Sequence, residues 1–119
     1  MQHMSEHGQR RIQTALDAGN IQAYRSQGFR LLGGGVDHDV PSRVTAERPE
    51  VIEVNRNFRE GNAFFRAPME LARTLLHESQ HVVQFRFADG LDERRRLVGK
   101  MRDELERAAE IYASQNLRN

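Results

Sequence analysis

Within "LARTLLHESQHVVQFRFADG" two histidines stand four residues apart, with a glutamate directly after the first: His77, Glu78 and His81. On a helix, residues i and i+4 share one face a turn apart, so both imidazoles would aim at one point. Zinc takes imidazole nitrogens at about 2.0–2.1 Å, and one helical turn suits that reach. Glu78 is rotated away from a ligand position. It is placed instead to act as a base toward a water that the metal acidifies. Shuffling this composition produces H-E-x-x-H roughly 2% of the time. Leucines precede the motif and valines follow it, and polar groups beside core residues are expensive without partners. The plainer reading is that both histidines merely hydrogen-bond at the edge of a core.

A catalytic zinc takes three protein ligands and keeps one position open. The chain has no cysteine, so any metal must be held by nitrogen and oxygen. The candidates for the third ligand lie in "DELERAAEIYA", residues 103–113. On a helical wheel Glu106 and Glu110 flank one side of an apolar stripe and Glu104 the other. Small residues at 108, 109 and 113 would let this helix come close to the first. Each of these glutamates reads equally well as a solvated partner of Arg102 or Arg107. Peptide-type hydrolysis also calls for an oxyanion donor. Tyr24, His38 and Tyr112 are available. Tyr112 lies on the apolar stripe, where core packing is its ordinary role. His38, between two aspartates in "VDHDV", reads as an exposed loop residue, with a second cation site as the rival.

The elements that must position these groups follow from pattern. Pro68 suits the first position of a helix, Glu70 its first turn, and Gly90 a left-handed cap, which predicts a helix over 68–88 with the motif near its middle. A final helix is expected from Asp92, as its cap, to Asn116, with Val98, Met101, Leu105, Ala109 and Tyr112 as its stripe. "VIEVNRNF", 51–58, is the best strand, with Val51, Glu53 and Asn55 on one face and Ile52, Val54 and Arg56 on the other. Earlier, a helix over 5–18 has Ser5 as its cap and Ile12, Ala15 and Leu16 inward. "IQAYRSQ" reads as a short helix ending at Gly28, and "FRLLGGG" as a strand running into a glycine turn. Residues 36–50 and 59–67 read as loops, and 1–8 as a tag remnant or flexible start.

The length of 119 residues and 38% hydrophobic content suit one α+β domain spanning 1–119. A net charge of +1 gives no global case for nucleic acid or membrane partners. The basic run "DERRRLVGK" is interleaved with acids and reads as a solvated face. No membrane-length apolar run and no signal peptide are read, and the native location stays open.

"HESQH" followed by "ERAAEIYA" resembles the zincin metallopeptidases of the glutamate-ligand type, as in the thermolysin-like families. That resemblance implies Glu106 as the third zinc ligand and Glu110 as the carboxylate that orients a ligand histidine. A glutamate stands at 110 where an aspartate is commoner. "VIEVNRNFREGN" and "ELARTLLHESQHVVQF" look like the small zincin domain associated with bacterial contractile injection systems, over residues 50–88. The implied fold is a minimal zincin: an active-site helix and a C-terminal helix packed with a short sheet. Its edge strand, expected at Val51, Ile52, Glu53, Val54 and Asn55, would line the cleft and pair with an extended peptide. The implied function is zinc-dependent peptide hydrolysis with one zinc ion per chain and Glu78 as general base, on a protein or peptide substrate. Similar minimal domains serve as effector or toxin modules, which implies a secretion-system partner or a cognate inhibitor. The competing readings are a zincin-like module that keeps metal for structure or assembly, and a metal-free helical interaction domain.

Overall fold

The computed structural model describes residues 3–31 and 34–119. The chain folds as α+β, with helices α1 (Glu6–Asp17), α2 (Gly61–Phe65), α3 (Pro68–Phe85), α4 (Leu91–Lys100) and α5 (Arg102–Asn116). Three strands, β1 (Ile21–Tyr24), β2 (Ser42–Arg43) and β3 (Ile52–Asn55), form one mixed sheet in the order β1-β3-β2. Helix α3 packs on α5, on α1, and on β2 and β3. It is therefore the element that every other layer meets.

The core forms where α1, α3 and α5 converge, around Met4, Ile12, Ala72, Leu76 and Ala113. Alanines 109 and 113 are fully buried, and their small side chains bring the α5 backbone up to α3. Gly8 does the same for α1: a Cβ there would meet Leu76 Cδ2 at 2.8 Å. Ser5 caps α1 by accepting the Gly8 N–H at 3.1 Å, as its residue type predicts. The inward face of α1 is Gly8 and Ile12, in line with Met4 just before it, while Leu16 is 47% exposed. Residues 3–8 are thus part of the fold rather than a flexible lead-in, with Met4 bridging to Leu117.

Several elements differ from the pattern reading. "IQAY" is a strand, not a helix. Gly19, at φ 72°, ends the first helix, and β1 then pairs parallel with β3, Ile21 opposite Ile52. Four residues cannot sustain a helix alone, whereas Ile and Tyr suit a paired strand. Of "FRLLGGG", residues 32–33 fall outside the described residues; an Arg30–Val36 bridge is found instead of a strand. The 36–50 segment holds a 3-10 turn at Asp37–Asp39 and the two-residue β2, and α2 sits within the expected 59–67 loop. Helix α3 stops at Phe85. Gly90, at φ 88° and ψ 177°, precedes α4 rather than capping α3. Gly90 is the N-cap of α4, without a side-chain cap, and Asp92 lies inside the first turn beside Glu93, which accepts the Asp89 N–H at 2.6 Å. The last helix is two helices broken at Met101 (φ −115°, ψ 19°). Gly99 weakens the helix there. Arg94 donates to Ala46 O at 2.7 Å and Arg95 pairs with Glu47 at 3.2 Å, tying α4 to the loop after β2.

Strand β3 is the centre of the sheet. Val51, Ile52, Glu53 and Asn55 are all buried, so the expected division into an inner and an outer face does not occur. Both of its backbone edges are paired, to β1 and to β2. The segment Val51, Ile52, Glu53, Val54, Asn55 therefore cannot be the peptide-pairing edge expected of it. Buried Glu53 is neutralised by Arg43 at 3.2 Å and Arg48 at 3.3 Å. Asn55 is fully buried and donates to the carbonyls of Asp37 at 3.2 Å and Val40 at 2.9 Å. It fixes the segment that leads into β2.

Candidate metal centre

Helix α3 presents His77 and His81 on one face, with their Nε2 atoms 3.0 Å apart. From α5, Glu106 straddles the pair: Oε2 lies 2.9 Å from His77 Nε2 and Oε1 2.9 Å from His81 Nε2. Glu78 Oε1 stands 4.0 Å and 3.9 Å from the same two nitrogens. His77, Glu78 and His81 form a group that could hold a metal ion. Glu104 lies exposed on α5 and lines neither cavity beside the histidines. Its rival Glu106 reaches them because it lies one turn before the buried contact at Ala109 and Ala113.

The outer nitrogens decide the tautomers. His77 Nδ1 is 2.6 Å from Glu110 Oε1. A carboxylate only accepts, so this nitrogen carries the hydrogen. Arg73 lies 3.4 Å from the other Glu110 oxygen and holds that carboxylate in place. His81 Nδ1 is 2.8 Å from Gln84 Oε1. The Gln84 amide nitrogen is committed to Leu105 O at 3.0 Å, so its oxygen faces the ring and accepts. Neutral imidazoles held this way turn two Nε2 lone pairs and one carboxylate toward a single point. Lone pairs 3.0 Å apart repel unless a cation lies between them. The two nitrogens and the oxygen, 2.9–3.0 Å apart, are a donor set of the kind that holds a divalent metal ion.

Protons play the cation's part when no metal is bound. Burial opposes charge on both rings, yet the hydrogen bonds to Glu106, with the nearby carboxylates, raise His77 and His81 above the ordinary histidine value. The same hydrogen bonds, from His77 and then His81, hold Glu106 far below the usual carboxylate range despite its partial burial. Burial pushes the Glu78 carboxyl up, against the pull of His81 and His77. Glu78 is only 6% exposed, and its Oε2 has no hydrogen-bond partner among the described residues. The Ser42 hydroxyl sits against the same carboxylate. An unpartnered buried carboxylate oxygen is costly; the other oxygen, Oε1, is the one that faces the two histidine Nε2 atoms.

Two cavities flank the cluster. A cleft of about 700 Å³ opens on the His77 side, bordered by Val40, Pro41, Ser42 and Glu78. A hollow of about 420 Å³ lies on the His81 side, bordered by Val44, Phe85, Val98 and Leu105. Glu106 and Arg102 border both. The strand that runs past the cluster is β2, the free edge of the sheet. Asn55 N donates to Pro41 O at 2.9 Å, and Ser42 faces Val54 in the next, non-bonded position. The backbone N–H and C=O of Ser42 therefore point outward from the sheet.

The expected oxyanion donors are elsewhere. His38 is hydrogen-bonded through Nδ1 to Ser26 and lines neither cavity. Tyr112 packs on the core and meets His7 Nδ1 at 2.9 Å, with the Arg11 guanidinium 4.0 Å over its ring. Tyr24 lies under Arg43 at 3.9 Å. Three contributors were not singled out from pattern: Gln84, Ser42 and Arg102. Only Gln84 carried a local signal, since it sits three residues after His81 on the same helix. Compared with models of protein families, with curated proteins and with solved structures, the chain matches none.

Proposed function

We propose that the chain is a zinc-dependent metallopeptidase, with one zinc ion held by His77, His81 and Glu106. The observation that carries this is the meeting of two Nδ1-anchored imidazoles and a carboxylate at one point, their facing atoms 2.9–3.0 Å apart. A zinc ion held there supplies Lewis acidity, acidifying water and polarising the scissile carbonyl. Glu78 takes the proton from the attacking water and passes it to the leaving amine. Its burial raises its proton affinity, which suits a base that must later act as an acid. Glu110 and Gln84 keep each ligand ring in the tautomer that frees Nε2. Arg102, the one arginine bordering both cavities among the described residues, is the donor for the developing oxyanion. An extended peptide pairs with the outward edge of β2 at Ser42.

The likeness of the motif region to the injection-system zincin domain supports an effector role, with a protein of the target cell as substrate. Among the described residues no helix is long and apolar enough to cross a membrane. Glu78, buried and 3.9–4.0 Å from the two histidine nitrogens, is near enough to act on a water between them, which supports the enzyme over the assembly module. The test is Glu78→Gln. It should bind zinc as the parent does and lose peptide cleavage by 10²-fold or more, of the order set by a general base. Equal cleavage by the variant, or zinc binding with no cleavage by either protein, would leave the structural module as the better account.

A further inference from the structure

We propose that the site selects peptides with an apolar residue directly before the scissile bond. This inference rests on the peptidase reading and adds to it the substrate class. The two cavities differ in chemistry. The His77 side carries Arg73, Asp103 and Glu110, whereas most of the His81 hollow is walled by Leu31, Val44, Phe85, Val98 and Leu105, with Arg30 at its border beside the shared Arg102 and Glu106. Val98 and Leu31 are 43% and 38% exposed, so an apolar wall faces solvent beside the metal ligands. Glu106 and Arg102 border both cavities, which places the hollow beside the proposed metal ligands and not at a remote surface.

Chain direction follows from β2. Residues 40–42 border the His77 cleft and Val44 borders the His81 hollow, so β2 runs from the first to the second. Ser42, itself 8% exposed, turns both backbone groups away from the sheet. An antiparallel partner satisfies both with one residue, in the slightly more stable arrangement. A peptide bound this way runs from the hollow to the cleft. The side chain before the scissile bond then enters the apolar hollow, and the one after it meets the charged cleft.

Digestion of a proteome-derived peptide mixture by the zinc-loaded protein, with products read by mass spectrometry, tests this. Leu, Phe, Ile, Val or Met should stand directly before the cut roughly tenfold above their abundance. Val98→Glu, at an exposed helix position, should erase that preference and favour Lys or Arg there. As a measurement without turnover, zinc-loaded Glu78→Gln should bind a Phe- or Leu-centred peptide roughly tenfold tighter than its Ser counterpart. Adding Val98→Glu should remove that difference. Cutting with no apolar preference before the cut, or with the preference only after it, overturns this inference and leaves the peptidase standing. Absence of both cutting and peptide binding overturns the two together.

Discussion

Replacing Gln84 separates what its two ends do. Its oxygen accepts from His81 Nδ1 at 2.8 Å and its nitrogen donates to Leu105 O at 3.0 Å. Gln84→Met keeps length and apolar stem but removes both contacts. Without the acceptor, His81 is free to carry its proton on Nε2, where it blocks the metal. Loss of such a partner lowers metal affinity by about 10–100-fold, which is about 1.4–2.7 kcal/mol. Losing the tie to Leu105, which joins α3 to α5, removes about 1 kcal/mol of stability. Gln84→Glu splits the two effects. It keeps an acceptor for His81, so zinc affinity should hold at or above the parent's. It turns a carboxylate oxygen on the Leu105 carbonyl, so metal-free stability should fall as far as in the Met variant or further. Zinc competition against a chromophoric chelator reads the first quantity and urea unfolding with a chelator present reads the second. If Gln84→Met binds zinc as tightly as the parent, the tautomer argument is refuted.

Other outcomes follow from the same geometry. Arg102→Ala should lower kcat by about 10²–10³-fold while leaving zinc affinity unchanged; a change confined to KM would make Arg102 a substrate contact only. Gly8→Ala places a Cβ 2.8 Å from Leu76 Cδ2, and overpacking of this kind should remove about 1–3 kcal/mol, read as a lower midpoint in denaturant. In metal-free protein the raised His77 and His81 give stability that is present below about pH 6.5 and lost as pH rises through their folded values. Glu78, also raised, adds to that loss from lower pH. The lowered Glu106 gives stability that is present above about pH 4.3 and lost as pH falls. Melting temperature with a chelator should thus decline on both sides, and zinc should abolish the alkaline decline; a metal-free melting temperature flat from pH 6 to 8 contradicts this.

The legible part of the site was the part set by local geometry. His77 and His81 are neighbours by helical spacing alone. Glu106 and Glu110 are also one turn apart, so either both reach α3 or neither does. Their approach depends on Ala109 and Ala113, whose small size the sequence displays. What stayed hidden was set by partners distant in the chain. "IQAY" is a strand because β3 lies beside it, and nothing within four residues says so. "VIEVN" has the composition of a strand, but edge and centre differ only in what pairs with the second side. Glu53 and Asn55 are polar yet buried, because Arg43, Arg48 and two loop carbonyls satisfy them. Strand β2 is two residues long and has no pattern to read. It is fixed by Asn55 from across the sheet, and it, not β3, borders the cleft beside His77. The Met101 break has only Gly99 to announce it, a weak signal against a continuous stripe.

The central claim is tested most directly by crystals of the protein grown with one equivalent of zinc and measured at the zinc absorption edge. The account predicts one anomalous peak per chain, bonded to Nε2 of His77, Nε2 of His81 and a Glu106 oxygen, with Glu78 unbonded beside it. No peak between these side chains, or a peak held without Glu106, would contradict it.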